Sequence, residues 1–338
     1  MHYDSLLIHV EKPGRYLGGE VNAVRKDWTE NSVRIALAFP DVYEVAMSHL
    51  GLQILYTILN SRPGILAERF HAPWPDMEGQ LRAAGICLAS LETRKPMSAF
   101  DLIGFSLQYE LSFTNVLAML DLGKIPLRAA ARTEQDPLVI AGGPCAFQPA
   151  PMAPFFDAFV IGEGEEAILE IAEVIGDAKK KGWRRNEMLE RLSALPGIYV
   201  PAIHLGPEKI RKRVLANLDD WSFTANPIIP LIRTIHDRIV IEVTRGCTRG
   251  CRFCQAGMVW RPVRERNPEM LLKMADTMLS CTGHDEISLL SLSSGDYSHI
   301  EPLIACLMER YHARRVALAL PSLRPETLTK RLMEEIRR

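Results

Sequence analysis

The feature that most constrains this chain is a repeated unit: a short apolar run that ends on small residues and gives way to a longer amphipathic stretch. In the first half the runs are VRIALAF at 33–39, DLIGFSL at 101–107, PLVIAGG at 137–143 and DAFVIGEGE at 157–165. In the second half they are RIVIEV at 238–243, EISLLSL at 286–292 and RVALALPSLR at 315–324. Runs this short and this continuously apolar read as strands buried on both faces. Helical stretches follow them, from about Ser48 to Asn60, Glu165 to Ile175, Glu269 to Cys281 and Glu301 to Tyr311, and Pro325-Glu326 starts another. Asn267 and Pro268 open the third of these as cap and first-turn residue. Alternation of this kind predicts parallel sheets covered by helices on both sides. At 338 residues the chain exceeds one typical domain, so two are expected.

Composition places the boundaries. Residues 1–31 are polar and broken by Pro13, Gly14 and Gly18-Gly19, and read as an N-terminal extension; residues 32–178 carry the first α/β pattern. From 179 to 237 the pattern lapses into a linker. There GIYVPAIH at 197–204 and IRKRVLANL at 210–218 suggest a hairpin about Gly206-Pro207, and DDWSFTANPIIP suggests an extended tether that Pro227 and Pro230 keep from becoming helix. The basic run Lys179 to Arg185, with Trp183 inside it, reads as a solvated helix end rather than a nucleic-acid contact. Residues 238–338 form the second α/β region.

Chemistry concentrates in RGCTRGCRFCQAG, Arg245 to Gly257, which sets Cys247, Cys251 and Cys254 in a loop between a strand and a helix. A structural zinc closes its shell with four protein ligands, whereas an iron-sulfur cluster can be held by thiolates alone. Cys281 and His284 come only after the next helix, so three thiolates on a cubic four-iron cluster would leave one iron open to an exogenous ligand. Gly246 and Gly250 let the backbone fold tightly around such a group. A zinc knuckle and unrelated thiols are the plain alternatives.

The spacing C-x3-C-x2-C, with Phe253 before the third cysteine, resembles the radical S-adenosylmethionine (radical SAM) superfamily. The resemblance implies that Cys247, Cys251 and Cys254 hold a 4Fe-4S cluster whose open iron chelates SAM. An electron from the cluster then splits SAM into methionine and a 5′-deoxyadenosyl radical. It also implies that Phe253 places the loop against the adenosyl group, and that Ser293, Ser294, Gly295 and Asp296, standing where relatives often carry GGE, meet the SAM ammonium. Ser322 and Arg324 stand at the third strand end, where the arginine would meet the SAM carboxylate. A reductant such as flavodoxin or ferredoxin is implied as a partner, beside a substrate that the sequence does not name.

The first α/β region resembles the cobalamin-binding domain that precedes the radical SAM core in a large class of these enzymes. Its carrying residues are Ser106, Gly142-Gly143-Pro144 and Gly162-Glu163-Gly164-Glu165, all at strand ends. The D-x-H-x-x-G motif of histidine-ligated cobalt is absent, since Asp41 and His49 have the wrong spacing. The whole order, including EVNAVRKDW, FPDVYEVAMSHLG, GFSLQYELSFTN and CRFCQAGMVWRPVRER, resembles a bacterial family of cobalamin-domain radical SAM proteins. The implied fold is a doubly wound, Rossmann-like parallel sheet followed by the first half of a partial (β/α) barrel, a truncated core with three of six units. Arg261, Arg264 and Arg266 could meet an anionic substrate or SAM, and read slightly better as salt-bridging residues.

A net charge of -1 gives no global attraction to nucleic acid or an anionic membrane. Seven scattered cysteines and the lack of an N-terminal apolar segment suggest a reducing, cytoplasmic setting with no membrane span. Three functions follow: cobalamin-dependent radical SAM chemistry such as methyl transfer, radical SAM chemistry with a cobalamin-free substrate domain, or a non-catalytic metal- or cofactor-binding module.

Overall fold

A computed structural model describes residues 3–28, 33–206, 209–221 and 226–337. The chain divides into two compact units, one of residues 1–213 and 229–235, the other of 214–228 and 236–338.

The first unit is a six-stranded sheet in the order β2-β1-β3-β4-β5-β6. Its strands are β1 (Val33–Phe39), β2 (Ile65–His71), β3 (Leu102–Ser106), β4 (Leu138–Gly142), β5 (Ala158–Val160) and β6 (Ile198–Tyr199). The first five run parallel and β6 antiparallel to β5. Its helices are α1 (Tyr43–Ala46), α2 (Leu50–Asn60), α3 (Pro75–Ala84), α4 (Phe113–Leu122), α5 (Gly164–Lys181) and α6 (Arg185–Ser193). Side chains alternate across a strand, so Ala36 and Ala38 join one core with Met77 and Leu81 of α3 and Val116 and Met119 of α4. Ile35 and Leu37, buried on the other face, meet the layer of α2 and α5. The order 2-1-3-4-5 reverses between β1 and β3, and ligands of such sheets bind outside the carboxyl ends near that reversal.

Two expectations are corrected here. Residues 3–28 are no appendage: Leu6, Leu7, Val10 and Tyr16 are buried in the first core, and Val21 bridges Ile229. Residues 1–2 and 29–31 lie outside the described set. The hairpin of 197–204 with 210–218 does not form, because Tyr199 pairs with Phe159 while Arg213 bridges Gly162, and Pro207 lies outside the described residues. The open edge of β5 offers a longer-lived partner than a Gly-Pro turn could set up. The tether is docked at both ends, residues 214–228 with the second unit and 229–235 with the first; residues 222–225 are not described. The basic run does end a helix, α5, which stops at Gly182 in the left-handed region. Lys181 and Arg191 lie on the Trp183 ring.

The second unit holds the parallel sheet β11-β10-β7, from β7 (Ile239–Glu242), β10 (Glu286–Leu290) and β11 (Ala317–Ala319). A two-stranded antiparallel pair is made by β8 (Thr244–Arg245) and β9 (Arg264–Glu265). The helices are α7 (Ala256–Val259), α8 (Pro268–Thr282), α9 (Ile300–Tyr311) and α10 (Lys330–Arg337). Asn267 caps α8, its side chain accepting from Glu269 N, with Pro268 in the first turn. One core gathers Ile239, Ile241, Leu271, Met278, Ile287, Leu289, Leu303 and Leu307.

Candidate functional site

In the second unit all three parallel strands deliver their carboxyl ends to one edge. From β7 the chain passes through Val243 to β8, whose pairing with β9 closes residues 246–263 into a loop. Arg266 N donates to Val243 O at 2.9 Å and ties the base of that loop to the sheet. Beneath it lies a buried charge network. Arg245 donates from Nε and Nη2 to the two Glu242 oxygens at 2.9 Å each, and the fully buried Arg266 Nη2 stands 3.5 Å from Glu242 Oε2. Arg266 also donates to Leu218 O and Trp221 O, and Arg264 donates to Leu215 O, so these arginines build the scaffold. Burial is the leading influence on Arg266 and lowers its proton affinity, against the pull of Glu242.

Cys247, Cys251 and Cys254 all lie on this loop as free thiols, Cys251 exposed and the others half-buried. Gly246 has φ +96°, and a Cβ there would stand 2.5 Å from Pro262 O and 2.6 Å from Trp260 O. Gly250 has φ +65°. The loop can follow this path only with glycine at 246, where a side chain would meet two carbonyl oxygens. Cys254 N donates to Cys251 O at 3.0 Å, making a turn, and Arg249 N approaches Cys247 Sγ at 3.5 Å. Phe253 is 92 % exposed. Among the described residues no three His, Cys, Asp or Glu side chains converge as ligands of a single ion. A four-iron cluster spreads its thiolates over separate irons, and the donor set here, three cysteines on one glycine-hinged loop, fits that group.

Opposite the loop, after β10, Ser293 to Asp296 form a rigid segment. Ser293 N donates to Ser291 Oγ at 2.9 Å, and Ser291 Oγ is 2.7 Å from Thr244 Oγ1. Ser294, fully buried, donates to Pro321 O at 2.7 Å, and a Cβ at Gly295 would meet Thr327 Oγ1 at 2.0 Å. Asp296 gathers the polar groups: Arg249 Nε donates to Oδ2 at 2.8 Å, Arg249 Nη2 to Oδ1, and Ser293 Oγ to Oδ2 at 2.7 Å. Arg324 Nη1 lies 3.7 Å away, and Arg324 also pairs with Glu326. The bond from Arg249 holds the Asp296 carboxyl down at about 2. Ser322, exposed, takes φ +59°. The sequence pointed to Asp296 and Arg324 but missed Arg249, whose signal was a cation between Cys247 and Cys251.

In the first unit the strand-end residues also share one edge. Ser106 and Gly142 are paired in register, and Gly143 has φ +97° with a Cβ position 2.6 Å from Leu107 O. Pro144 begins the turn that follows. Gly162 has φ +111°, yet its open side is filled by the chain itself, since a Cβ would lie 2.3 Å from Arg213 O. Glu163 N donates to that same oxygen at 3.2 Å. The Gly162 turn therefore packs against the Arg213 backbone. Gly164 opens α5, with Glu165 buried in its first turn. Nearer the reversal, Tyr109 donates to Asp41 Oδ2 at 3.2 Å, and Asn115 donates to Pro40 O at 2.9 Å. His49 caps α2 through Nδ1, which accepts from Leu52 N at 3.1 Å. Burial holds its pKa down at about 4.

A parallel-strand unit whose first loop carries C-x3-C-x2-C, preceded by a doubly wound unit, defines a radical SAM protein, and the chain belongs to that superfamily. Residues 51–201 match the N-terminal domain of radical SAM proteins, and residues 241–338 match the radical SAM superfamily core. It is similar to an uncharacterized protein of Methanocaldococcus jannaschii, 24 % identical over 310 residues that are 88 % of this chain and 57 % of that protein. In fold it is similar to the radical S-adenosylmethionine methyltransferase TsrM from Kitasatospora setae, solved with cobalamin and a [4Fe-4S] cluster. That match has a TM-score of 0.56 at 15 % identity and covers 90 % of this chain and 58 % of TsrM. A second structure of TsrM, with tryptophan substrate and the SAM analog aza-SAM, matches with a TM-score of 0.54 at 15 % identity over 90 % of this chain and 57 % of that one. The chain thus spans less than two thirds of the length of these relatives. Among the described residues no helix is long and apolar enough to cross a membrane.

Proposed function

We propose that the chain carries the cluster-binding part of a radical SAM enzyme that uses cobalamin in its first unit, with methyl transfer to a carbon substrate as its reaction. The observation that carries this reading is the placement of three free thiols on one glycine-hinged loop at the carboxyl edge of a parallel sheet. When bound, the cluster supplies the electron that cleaves SAM reductively, and a corrinoid supplies a carrier for a methyl group. Cys247, Cys251 and Cys254 would hold three irons, and Phe253, now facing solvent, would lie against the adenosyl group. Asp296 and Arg324 offer a carboxylate and a guanidinium to the two charges of an α-amino acid. On the first unit, Ser106 and Gly142 end paired strands at the carboxyl edge next to the sheet reversal, and Gly143 and Pro144 follow there.

A second reading keeps the radical chemistry but gives the first unit a substrate in place of cobalamin. It is favoured by Gly162, whose open side is occupied by Arg213. Both are tested on protein reconstituted anaerobically with iron and sulfide. The reduced 4Fe-4S resonance is expected to change when SAM is added, and Ala at any of the three cysteines should abolish SAM cleavage. A tightly held zinc, or a resonance indifferent to SAM, would end the radical SAM reading. Visible absorbance of bound corrinoid decides between the two roles of the first unit.

A further inference from the structure

We infer that Arg249 is a positioning residue that keeps the SAM site closed, occupying Asp296 until the α-ammonium of SAM takes its place. The inference rests on the radical SAM reading above.

Three of the roughly four acceptor sites of the Asp296 carboxylate are already taken. Arg249 engages both its oxygens in the two-pronged geometry of guanidinium on carboxylate, and Ser293 Oγ takes a further lone pair. An incoming ammonium would also meet two cations at close range, Arg249 itself and Arg324 at 3.7 Å from the carboxylate. Both guanidiniums therefore oppose the approach of an ammonium to Asp296, and departure of one relieves that opposition.

The fold decides which. Asp296 is fixed by its neighbours: Ser294 Oγ donates to Pro321 O at 2.7 Å, Gly295 abuts Thr327, and Tyr297 OH donates to Arg266 O at 2.8 Å. Arg249 stands on the cluster loop beside Gly250 at φ +65°, with its side chain 44 % exposed. Its side chain can swing into water at little cost, since exposed pairs of this kind are weak. Arg324, flanked by Glu326 and Asp296, remains as the partner for the SAM carboxylate. Exchange at Asp296 thus replaces one internal ion pair by one to the ligand, and frees a cation beside Cys247 and Cys251.

The test is equilibrium binding of SAM to reconstituted protein, followed by the change in the cluster resonance, with 5′-methylthioadenosine as a competitor that lacks the amino acid group. Arg249→Gln is expected to bind SAM about two- to fivefold more tightly, the strength of an exposed ion pair, and to leave methylthioadenosine unchanged. Arg249→Lys keeps the cation and should stay near the parent, whereas Asp296→Asn should weaken SAM alone. Unchanged or weaker SAM binding in Arg249→Gln, or equal shifts for both ligands, would overturn the closure. Loss of iron and sulfide from Arg249→Gln would assign the residue to holding the cluster and would overturn it as well. Failure of the parent protein to respond to SAM removes the underlying reading, which is a separate outcome.

Discussion

Arg69 and Arg266 are the largest side chains that the fold buries completely, and each is a charge that must be matched where it lies. Arg69 donates from Nη2 to Glu20 at 2.8 Å and from Nε to Glu92 at 2.6 Å, with the Tyr56 ring 5.4 Å from its guanidinium carbon. Tyr43 OH donates to Glu20 at 3.1 Å and accepts from Leu231 N. Glu20, Tyr43, Tyr56, Glu92 and Leu231 are thereby tied to one cation. Glu20→Ala removes one acceptor and leaves a buried charge half-matched, so the first unit should lose about 3–5 kcal/mol of unfolding free energy in urea. A loss within the range of ordinary surface substitutions would mean that the cluster is solvated. His49 and His71 set the acid limit at the same scale. Burial, aided at His71 by Arg69, holds their pKa values down at about 4 and about 3. An unfolded histidine binds its proton near pH 6.5. Above that pH both states are neutral; below it the unfolded chain takes up protons that the folded chain refuses. Stability is therefore fully present above about pH 6.5 and is lost as the pH falls toward 4 for His49 and toward 3 for His71. His49→Asn keeps the cap of α2 and should flatten this decline between pH 6.5 and 4 by about 1 kcal/mol or more, read from urea midpoints at each pH. An unaltered slope would place the proton uptake elsewhere.

At the scale of elements, the cluster loop depends on one backbone position more than on any side chain. Ala at Gly246 would have to hold φ +96° with its Cβ against two carbonyl oxygens, so the turn that aims Cys247 would be forced to another path. Gly246→Ala is expected to retain well under half of the parent's iron and sulfide after reconstitution while its far-ultraviolet circular dichroism is unchanged; full iron content would show that the turn is dispensable. This loop, its strand and its helix were legible because apolar run, glycines, cysteine spacing and Asn-Pro cap all agreed. Seven of the strands declared themselves as continuous apolar runs. β2 did not, because Glu68, Arg69 and His71 are buried in it, the first two matched by partners distant in sequence, Thr93 and Glu20. Its outer edge is likewise closed by remote groups: the Asn60 side chain donates to Ala67 O and accepts from Ala67 N, an amide standing in for a neighbouring strand. The expected hairpin failed for the related reason that Tyr199 chooses among edges, and local sequence does not say which edge is open. The Arg249–Asp296 pair joins residues 47 apart, a distance no spacing motif reports.

On the scale of the whole molecule, two of the hydrophobic clusters among the described residues lie in different units and mark two candidate cooperative units. The first gathers residues from Leu6 to Ile161 and the second residues from Ile239 to Leu332, with no residue in common. The described ion pairs follow the same division: Arg69, Arg132 and Arg185 are matched within the first unit, and Arg245, Arg266 and Arg249 within the second. A chain organised this way should depart from two-state unfolding. Leu303 on α9, 1 % exposed in the second cluster, provides the means to separate the steps. Leu303→Ala deletes three buried carbons without touching a charge or a cysteine, and should destabilise its own unit by about 2–5 kcal/mol. Calorimetry of the cluster-free protein is then expected to resolve two transitions, one displaced downward by the substitution and the other unmoved. The displaced step should be the one that loses the second unit's amide protection in hydrogen exchange, since α8 and α9 share that core. If both transitions moved together, the two cores would be folding as one, and destabilising the cluster-binding unit would unfold the sheet that precedes it.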